Sequence, residues 1–305
     1  MSLVSMLKSR GPSGFGGGST AEEVTAGLSL AGKTILVTGC NSGLGLEAMR
    51  VFALRGARVI GTARTVEKAA AACGAIAGLT LPLACELSDP KSVRACVESV
   101  RQGGSKLDAI VCNAGIMALP ERQQAFGTEL QLFTNHVGHF LLVTGLLDRL
   151  ADDGRVVAVA SSAHRQAPKA GVELDNLSGA RGYEPWKMYG QSKLANILFA
   201  KELARRFAGT KRVAIAIHPG VIKTGLSRYM NPVLDFLWGA VSPIFLKSVE
   251  QGAATEVYAA VHPDAAALGG SYLADCNVAR PRPDAEDAAL AKALWEATEK
   301  LADTL

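Results

Sequence analysis

None of the six cysteines, Cys40, Cys73, Cys85, Cys96, Cys112 and Cys276, forms a C-x-x-C pair. Several stand inside apolar runs, so they read as reduced, mostly buried thiols in a reducing compartment. No cysteine or carboxylate lies at a helpful spacing from His136 and His139. That i, i+3 pair therefore reads as core or helix-surface histidines, and no metal site is expected. No apolar run reaches about 18 residues, which argues against a transmembrane helix. The N-terminus lacks an apolar core ahead of a cleavage site, so it does not read as a secretory signal. It carries acids and little arginine periodicity, which argues against a transit peptide. The net charge is only +4 and the basic residues form no dense run, so nucleic-acid binding has no support. A soluble or peripheral protein is expected.

What is present is ordinary for a globular protein with many tight turns: 305 residues, 49% hydrophobic and 20% charged, with 32 glycines. Residues 1–30 are rich in Gly and Ser and read as an irregular lead-in, with Ser19 or Thr20 capping a short helix at Ala21-Glu22-Glu23. From there strand and helix patterns alternate. The strands are placed at 34–37, 58–63, 79–84, 107–112, 155–160 and 213–217, with a last one near Tyr272-Leu273. Helices are expected between them, including a long one over 129–150 and one around Tyr189. A C-terminal helix capped by Asp284 follows, with Leu290, Leu294 and Leu301 on one face. It reads as packing on the sheet edge or as a partner-binding helix. The alternation predicts an α/β, Rossmann-like doubly wound fold: a seven-stranded parallel sheet with helices on both faces. No linker or repeat interrupts residues 31–305, which read as one domain.

Three features carry chemistry. Thr38–Gly45 lies between a strand and a helix, and its glycines Gly39, Gly43 and Gly45 let the helix N-terminus approach a pyrophosphate. The spacing is G-x-x-x-G-x-G, not G-x-G-x-x-G, and the alternative is a turn that only packs a helix closely. The end of the second strand has no acid to hold ribose hydroxyls. It carries Arg64, whose guanidinium suits a 2′-phosphate and points to NADP(H), the alternative being a solvated arginine. Tyr189 and Lys193 lie one helical turn apart. An ammonium beside a phenol favours the phenolate and lowers the tyrosine pKa from about 10 toward the range of a general acid or base. Alone, the pair also fits a solvated helix face. Asn113, Asn135, Ser161 and Ser162 fall where the strands' carboxyl ends form a crevice.

Taken in order, the Thr38–Gly45 turn, Asn113-Ala114-Gly115, Asn135, Ser161-Ser162, Tyr189-x-x-x-Lys193 and Pro219-Gly220 resemble the short-chain dehydrogenase/reductase family over nearly the whole domain. Thr134–Phe140 and Ser192–Asn196 resemble its retinol-dehydrogenase-like branch. Gly11–Phe15, Ser19–Thr25, Gln251–Thr255, Tyr272-x-x-Asp275-x-Asn277 and Leu294-Trp295 resemble the plant chloroplast-envelope branch associated with the protein-import translocon.

The resemblance implies roles. Tyr189 is the general acid for a carbonyl oxygen. Lys193 lowers its pKa and holds the nicotinamide ribose. Ser162, rather than Ser161, bonds the substrate oxygen, and Asn135 anchors a proton-relaying water. Cofactor contacts are implied for Gly39, Asn41, Ser42, Gly43, Leu44, Gly45, Arg64, Glu86, Leu87, Asn113, Ala114, Gly115, Pro219, Gly220, Ile222 and Thr224. Cys112 replaces the usual first asparagine of N-N-A-G, and Glu86 replaces an aspartate near the adenine. The family forms dimers or tetramers, often through the Tyr–Lys helix. The resemblance places the chain in the chloroplast, with the cytoplasm as the alternative. The apolar residues of 226–250, directly after Pro219-Gly220, read as a substrate lid, as a membrane-surface contact or as helices that merely pack on the domain. They imply a hydrophobic small-molecule substrate. Two functions stay open: an NADP(H)-dependent carbonyl reductase or alcohol dehydrogenase, and an NADPH-binding regulatory or scaffold protein of a plastid import complex.

Overall fold

A computed structural model describes residues 10–222 and 246–305. Its centre is one sheet built from β1 (Thr34–Thr38), β2 (Arg58–Ala63), β3 (Thr80–Ala84), β4 (Leu107–Cys112), β5 (Leu150–Val159), β6 (Val213–His218), β7 (Tyr272–Ala274) and β8 (Asn277–Val278). The spatial order is 3-2-1-4-5-6-7-8. Strands one to seven run parallel, as expected for seven buried apolar runs. β8 adds an antiparallel edge to β7. It escapes pattern reading because two residues carry no period.

The central strands are apolar at successive positions, as in Ile35-Leu36-Val37, Val156-Val157-Ala158-Val159 and Ala214-Ile215-Ala216-Ile217, because both faces are covered. Ile35, Val37, Val157, Val159, Ile215 and Ile217 face one core with α1 (Gly43–Leu54), α2 (Val66–Gly74) and a later helix, α6 (Val249–Val261). Leu36, Ile60, Ile110, Val156, Ala158 and Ala216 face the other. That core also holds α3 (Pro90–Gln102), α4 (residues 130–146), α5 (Pro185–Arg206) and α7 (Ala288–Ala302). The chain leaves β1 for β2 on one side and returns to β4 on the other, so a crevice opens at their carboxyl ends.

Several expectations need correction. The long helix ends at Leu146, and a π-turn at Phe133–Val137 interrupts it between Leu130–Leu132 and Gly138–Leu146. β5 begins at Leu150, with a register shift before Arg155. The turn-like Ala151-Asp152-Asp153-Gly154 hid that extension. α7 is capped by Asp287, whose Oδ1 accepts from the Ala289 and Leu290 amides at 2.8 and 3.1 Å. Asp284 lies in the preceding turn and pairs with Arg282. α7 packs on α5 rather than at the sheet edge: Trp295 stacks on Phe199 at 5.7 Å, and the Arg206 guanidinium covers Trp295 at 4.0 Å. Residues 10–30 are irregular but docked, with Ala21, Val24 and Leu30 buried. Thr20 and Glu23 exchange side-chain bonds to each other's backbone N–H at 3.2 and 3.0 Å, so Thr20 rather than Ser19 makes the cap. Most of 226–250 lies outside the described residues.

Glu256 on α6 is fully buried, and neither carboxylate oxygen has a hydrogen-bond partner. Burial pushes its pKa up to about 8. The folded chain therefore keeps this proton to about pH 8, while the unfolded chain releases it near the ordinary carboxyl value. Between those values the folded state binds more protons, so stability falls as pH rises. Glu256→Gln is expected to stabilise the protein by on the order of 3 kcal/mol at pH 8, with no gain at pH 4. Urea unfolding at the two pH values measures it; an equal effect at both would refute the assignment.

Candidate functional site

The glycine turn leaves β1 with Gly39 at φ 70°, where an added Cβ would stand 3.0 Å from Ala114 Cβ. At Gly45 an added Cβ would collide with Asn113 Nδ2 and the Gly39 carbonyl. Glycine is required at both places by close approach. Ser42 occupies the N-cap of α1 without a side-chain bond to its amides. The first N–H groups of α1 thus open onto the crevice with no cap over them. That is the cradle a pyrophosphate fits.

β4 is tied to the turn. Asn113 Nδ2 donates to the Thr38 carbonyl at 2.8 Å, and the Ala114 amide donates to Thr38 Oγ1 at 3.0 Å. His139 completes this knot. Its Nδ1 lies 2.9 Å from the Asn135 carbonyl, which can only accept, so Nδ1 carries the proton. Nε2 then accepts from the Thr38 hydroxyl at 2.9 Å, which leaves Thr38 Oγ1 open to the Ala114 amide. Burial holds the imidazole neutral by lowering its pKa to about 4. His136 is also buried, and its Nε2 bonds Thr298 of α7 at 3.0 Å. Both histidines are core groups, but His139 sits directly behind the glycine turn, a placement that only the fold reveals.

A cavity of about 830 Å³ runs along the crevice. Gly39, Asn41, Ser42, Gly43, Leu44, Arg64, Glu86, Leu87, Asn113, Ala114, Gly115, Ser162, Tyr189, Lys193, Pro219, Gly220 and Ile222 all line it. Gly45 and Asn135 stand behind the wall, and Thr224 lies outside the described residues. Lys68, in the first turns of α2, joins Arg64 at one end. Sequence reasoning missed it, although it follows Arg64 by four residues. Glu86 turns its Oε1 back to the Ser88 amide and hydroxyl at 3.1 and 2.8 Å. Ile116, Met117, Leu130, Trp186, Val221 and Leu246 make the other end apolar.

The tyrosine and lysine are both buried in α5. Lys193 Nζ sits over the Tyr189 ring, 5.7 Å from its centroid, and donates to the Val159 carbonyl at 2.9 Å. The expected fall in the tyrosine pKa does not occur. Burial pushes it up to about 12, while a hydrogen bond from Ser161 pulls the other way. Burial also lowers Lys193 to about 8. Desolvation is the largest cause of both shifts.

Two further groups flank the pair. Ser161 and Ser162 both line the cavity: Ser161 is half-buried and its Oγ accepts from the Ala163 amide at 3.2 Å, whereas Ser162 is exposed at the start of a 3₁₀ turn. Consecutive residues at a strand end point to opposite sides, so the choice between two adjacent serines is a matter of register. Asn135 lies in the π-turn. Its Oδ1 accepts from the Ile116 amide at 2.8 Å, and its Nδ2 donates to the Ile116 carbonyl and to Ser192 Oγ, each at 2.9 Å. The side chain is thus a brace between β4's exit loop and α5.

Lys193 supports a test of these energetics. Its folded pKa is below the ordinary lysine value, so above about pH 8 the unfolded state binds more protons and stability rises with pH. Below that, the buried ammonium costs the folded state. Lys193→Met removes the cost, and Asn196 Nδ2, 3.1 Å from the Val159 carbonyl, still satisfies it. The variant is expected to be more stable at pH 7 by about 2 kcal/mol, with the gain gone by about pH 10.5. Denaturant titrations of both proteins across this range decide it, and a loss of stability at pH 7 would contradict it.

Comparison with known proteins places these residues in context. The short chain dehydrogenase family model matches residues 33–234. "Short-chain dehydrogenase TIC 32 B, chloroplastic" of Brassica napus is 37% identical over 320 residues, covering 100% of both chains. "Retinol dehydrogenase 12" of Mus musculus is 38% identical over 278 residues, covering 89% of this chain and 86% of that one. Among solved structures, an uncharacterized protein from Mycobacterium paratuberculosis is 36% identical with a TM-score of 0.74, covering 94% and 98%.

Proposed function

The chain belongs to the short chain dehydrogenase family, and from that premise we propose that it is an NADP(H)-dependent oxidoreductase that interconverts a carbonyl and an alcohol on a hydrophobic small molecule. The observation that carries this reading is the single cavity. It joins an uncapped helix N-terminus and two cations at one end to a buried tyrosine and lysine, two less buried serines and apolar walls at the other.

In this reading the α1 amides and Asn41 hold the pyrophosphate, and Arg64 with Lys68 holds a 2′-phosphate. A bound nicotinamide supplies or accepts the hydride. Tyr189, pushed up to about 12, keeps its phenolic proton at neutral pH and is ready to give it to a carbonyl oxygen. Ser161, which lines the same cavity, orients the same oxygen. Lys193 faces the phenolate left behind, and a phenolate would in turn favour the charged ammonium. Asn135 fixes α5 against Ile116 so that these groups stay in register. Ile116, Met117, Leu130 and Trp186 favour an apolar substrate.

NADPH consumption with a panel of apolar aldehydes and ketones tests the reading. Tyr189→Phe is expected to lower kcat by about 10²–10⁴-fold while NADPH still binds. Ser161→Ala is expected to cost more activity than Ser162→Ala; the reverse order would restore Ser162. Arg64→Asp is expected to shift preference toward NADH by about tenfold or more, and unchanged relative affinities would remove Arg64 from the site. The match to the chloroplastic relatives spans the N-terminal segment and supports a second reading: a plastid protein in which NADPH binding tunes an interaction. NADPH binding without turnover of any carbonyl would favour it.

A further inference from the structure

Residues 10–30 contain little regular structure, yet they are fastened beside the last strands. Asn277 Oδ1 accepts from the Ser13 amide at 3.0 Å, and its Nδ2 donates to the carbonyls of Phe15 and Asp275 at 3.0 and 2.7 Å. The Phe15 ring meets Tyr258 and His262 edge-on at 5.9 and 5.6 Å. Further along, Gln251 Nε2 donates to the Gly18 carbonyl at 3.2 Å and the Ala21 amide to the Glu250 carbonyl at 2.9 Å.

The residues between β7 and β8 are unusual. Asp275 and Cys276 both have left-handed backbone, at φ 52° and 61°. Two such residues in succession cost free energy and persist only where their surroundings hold them. Asn277 holds one carbonyl, and Thr255 Oγ1 accepts from the Cys276 amide at 3.2 Å. The turn brings the Asp275 carboxylate to Lys247 Nζ at 2.6 Å, with the lysine side chain only 9% exposed. Lys247 in turn backs the cavity wall. Its amide donates to the Val221 carbonyl at 2.9 Å, and Ile222 pairs with it as a parallel bridge. Its aliphatic stem fills the space where a side chain on Gly220 would stand. Gly220, Val221 and Ile222 all line the cavity.

We propose that the N-terminal segment around Ser13–Phe15 is an intramolecular brace for the cofactor site, acting through Asn277, Asp275 and Lys247 to set the position of the Gly220–Ile222 wall. The three side chains are positioning residues, not groups that touch substrate. The consequence for NADPH rests on the dinucleotide reading of the cavity; the consequence for the wall itself does not.

The test uses the full chain with Asn277→Ala, Lys247→Met and the double variant. Hydrogen exchange without added cofactor reads the wall directly. Faster exchange of the Lys247 amide and its neighbours is expected in Asn277→Ala, although that residue touches neither Gly220 nor Val221. Fluorescence titration with NADPH reads the site. Each single variant is expected to raise Kd roughly tenfold, and the double variant by little more than either one, because both break one chain of contacts. A general loss of structure would instead quicken exchange across β1 to β6. Unchanged exchange around Lys247 in Asn277→Ala, or multiplicative effects on Kd, overturns the brace. No NADPH binding by the unaltered protein overturns the cofactor reading and leaves the exchange result to decide the brace.

Discussion

The bond between the ends of β1 and β4 is the constraint on which the site depends. Thr38 gives its carbonyl to Asn113 and its hydroxyl oxygen to the Ala114 amide, so the two strand exits at the sheet's switch point are locked together. That lock brings Gly39 against Ala114 and Gly45 against Asn113, distances that tolerate no side chain. It also needs Thr38 to present an acceptor, which a neutral, correctly tautomerised His139 allows by accepting the hydrogen bond that the Thr38 hydroxyl donates. His139 receives its orientation from the Asn135 carbonyl, in the same π-turn whose side chain braces Ile116 and Ser192. A widened helical turn at this place lets one residue serve both the glycine turn and the helix of Tyr189.

Dryness sets the chemistry at the other end. Removing water raises the tyrosine and lowers the lysine, and both shifts disfavour charge. Tyr189 therefore rests neutral, and Lys193 keeps its ammonium at neutral pH only at a cost. A Tyr189 phenolate and the Lys193 ammonium would stabilise each other as a pair, which suits the proposed reaction, in which negative charge appears briefly at the phenol.

How legible all this was varies from residue to residue. The parallel strands were readable because a strand buried on both faces must be apolar at every position, as in Thr34-Ile35-Leu36-Val37. The glycine turn was readable because close approach leaves few residue choices. The break in α4 was not, since a π-turn barely alters the apolar spacing of residues 130–146. Ser161 and Ser162 were harder to tell apart, because a strand's last residue fixes which side chain turns inward and composition does not record that register; both line the cavity. The N-terminal segment read as irregular, and it is. Its attachment depends on Asn277 and Phe15 meeting across more than 260 residues, which no local pattern encodes.

α5 is unusual in being enclosed: every residue from 188 to 200 is buried within the single chain. The sheet covers one side and α7 the other, through Trp295 laid on Phe199. Only its two ends, at Pro185–Lys187 and Lys201–Arg206, keep exposed or half-buried residues. A neighbour that leaves α7 docked, with the aromatic stack and the His136–Thr298 bond intact, therefore meets α5 at those ends and not along its middle.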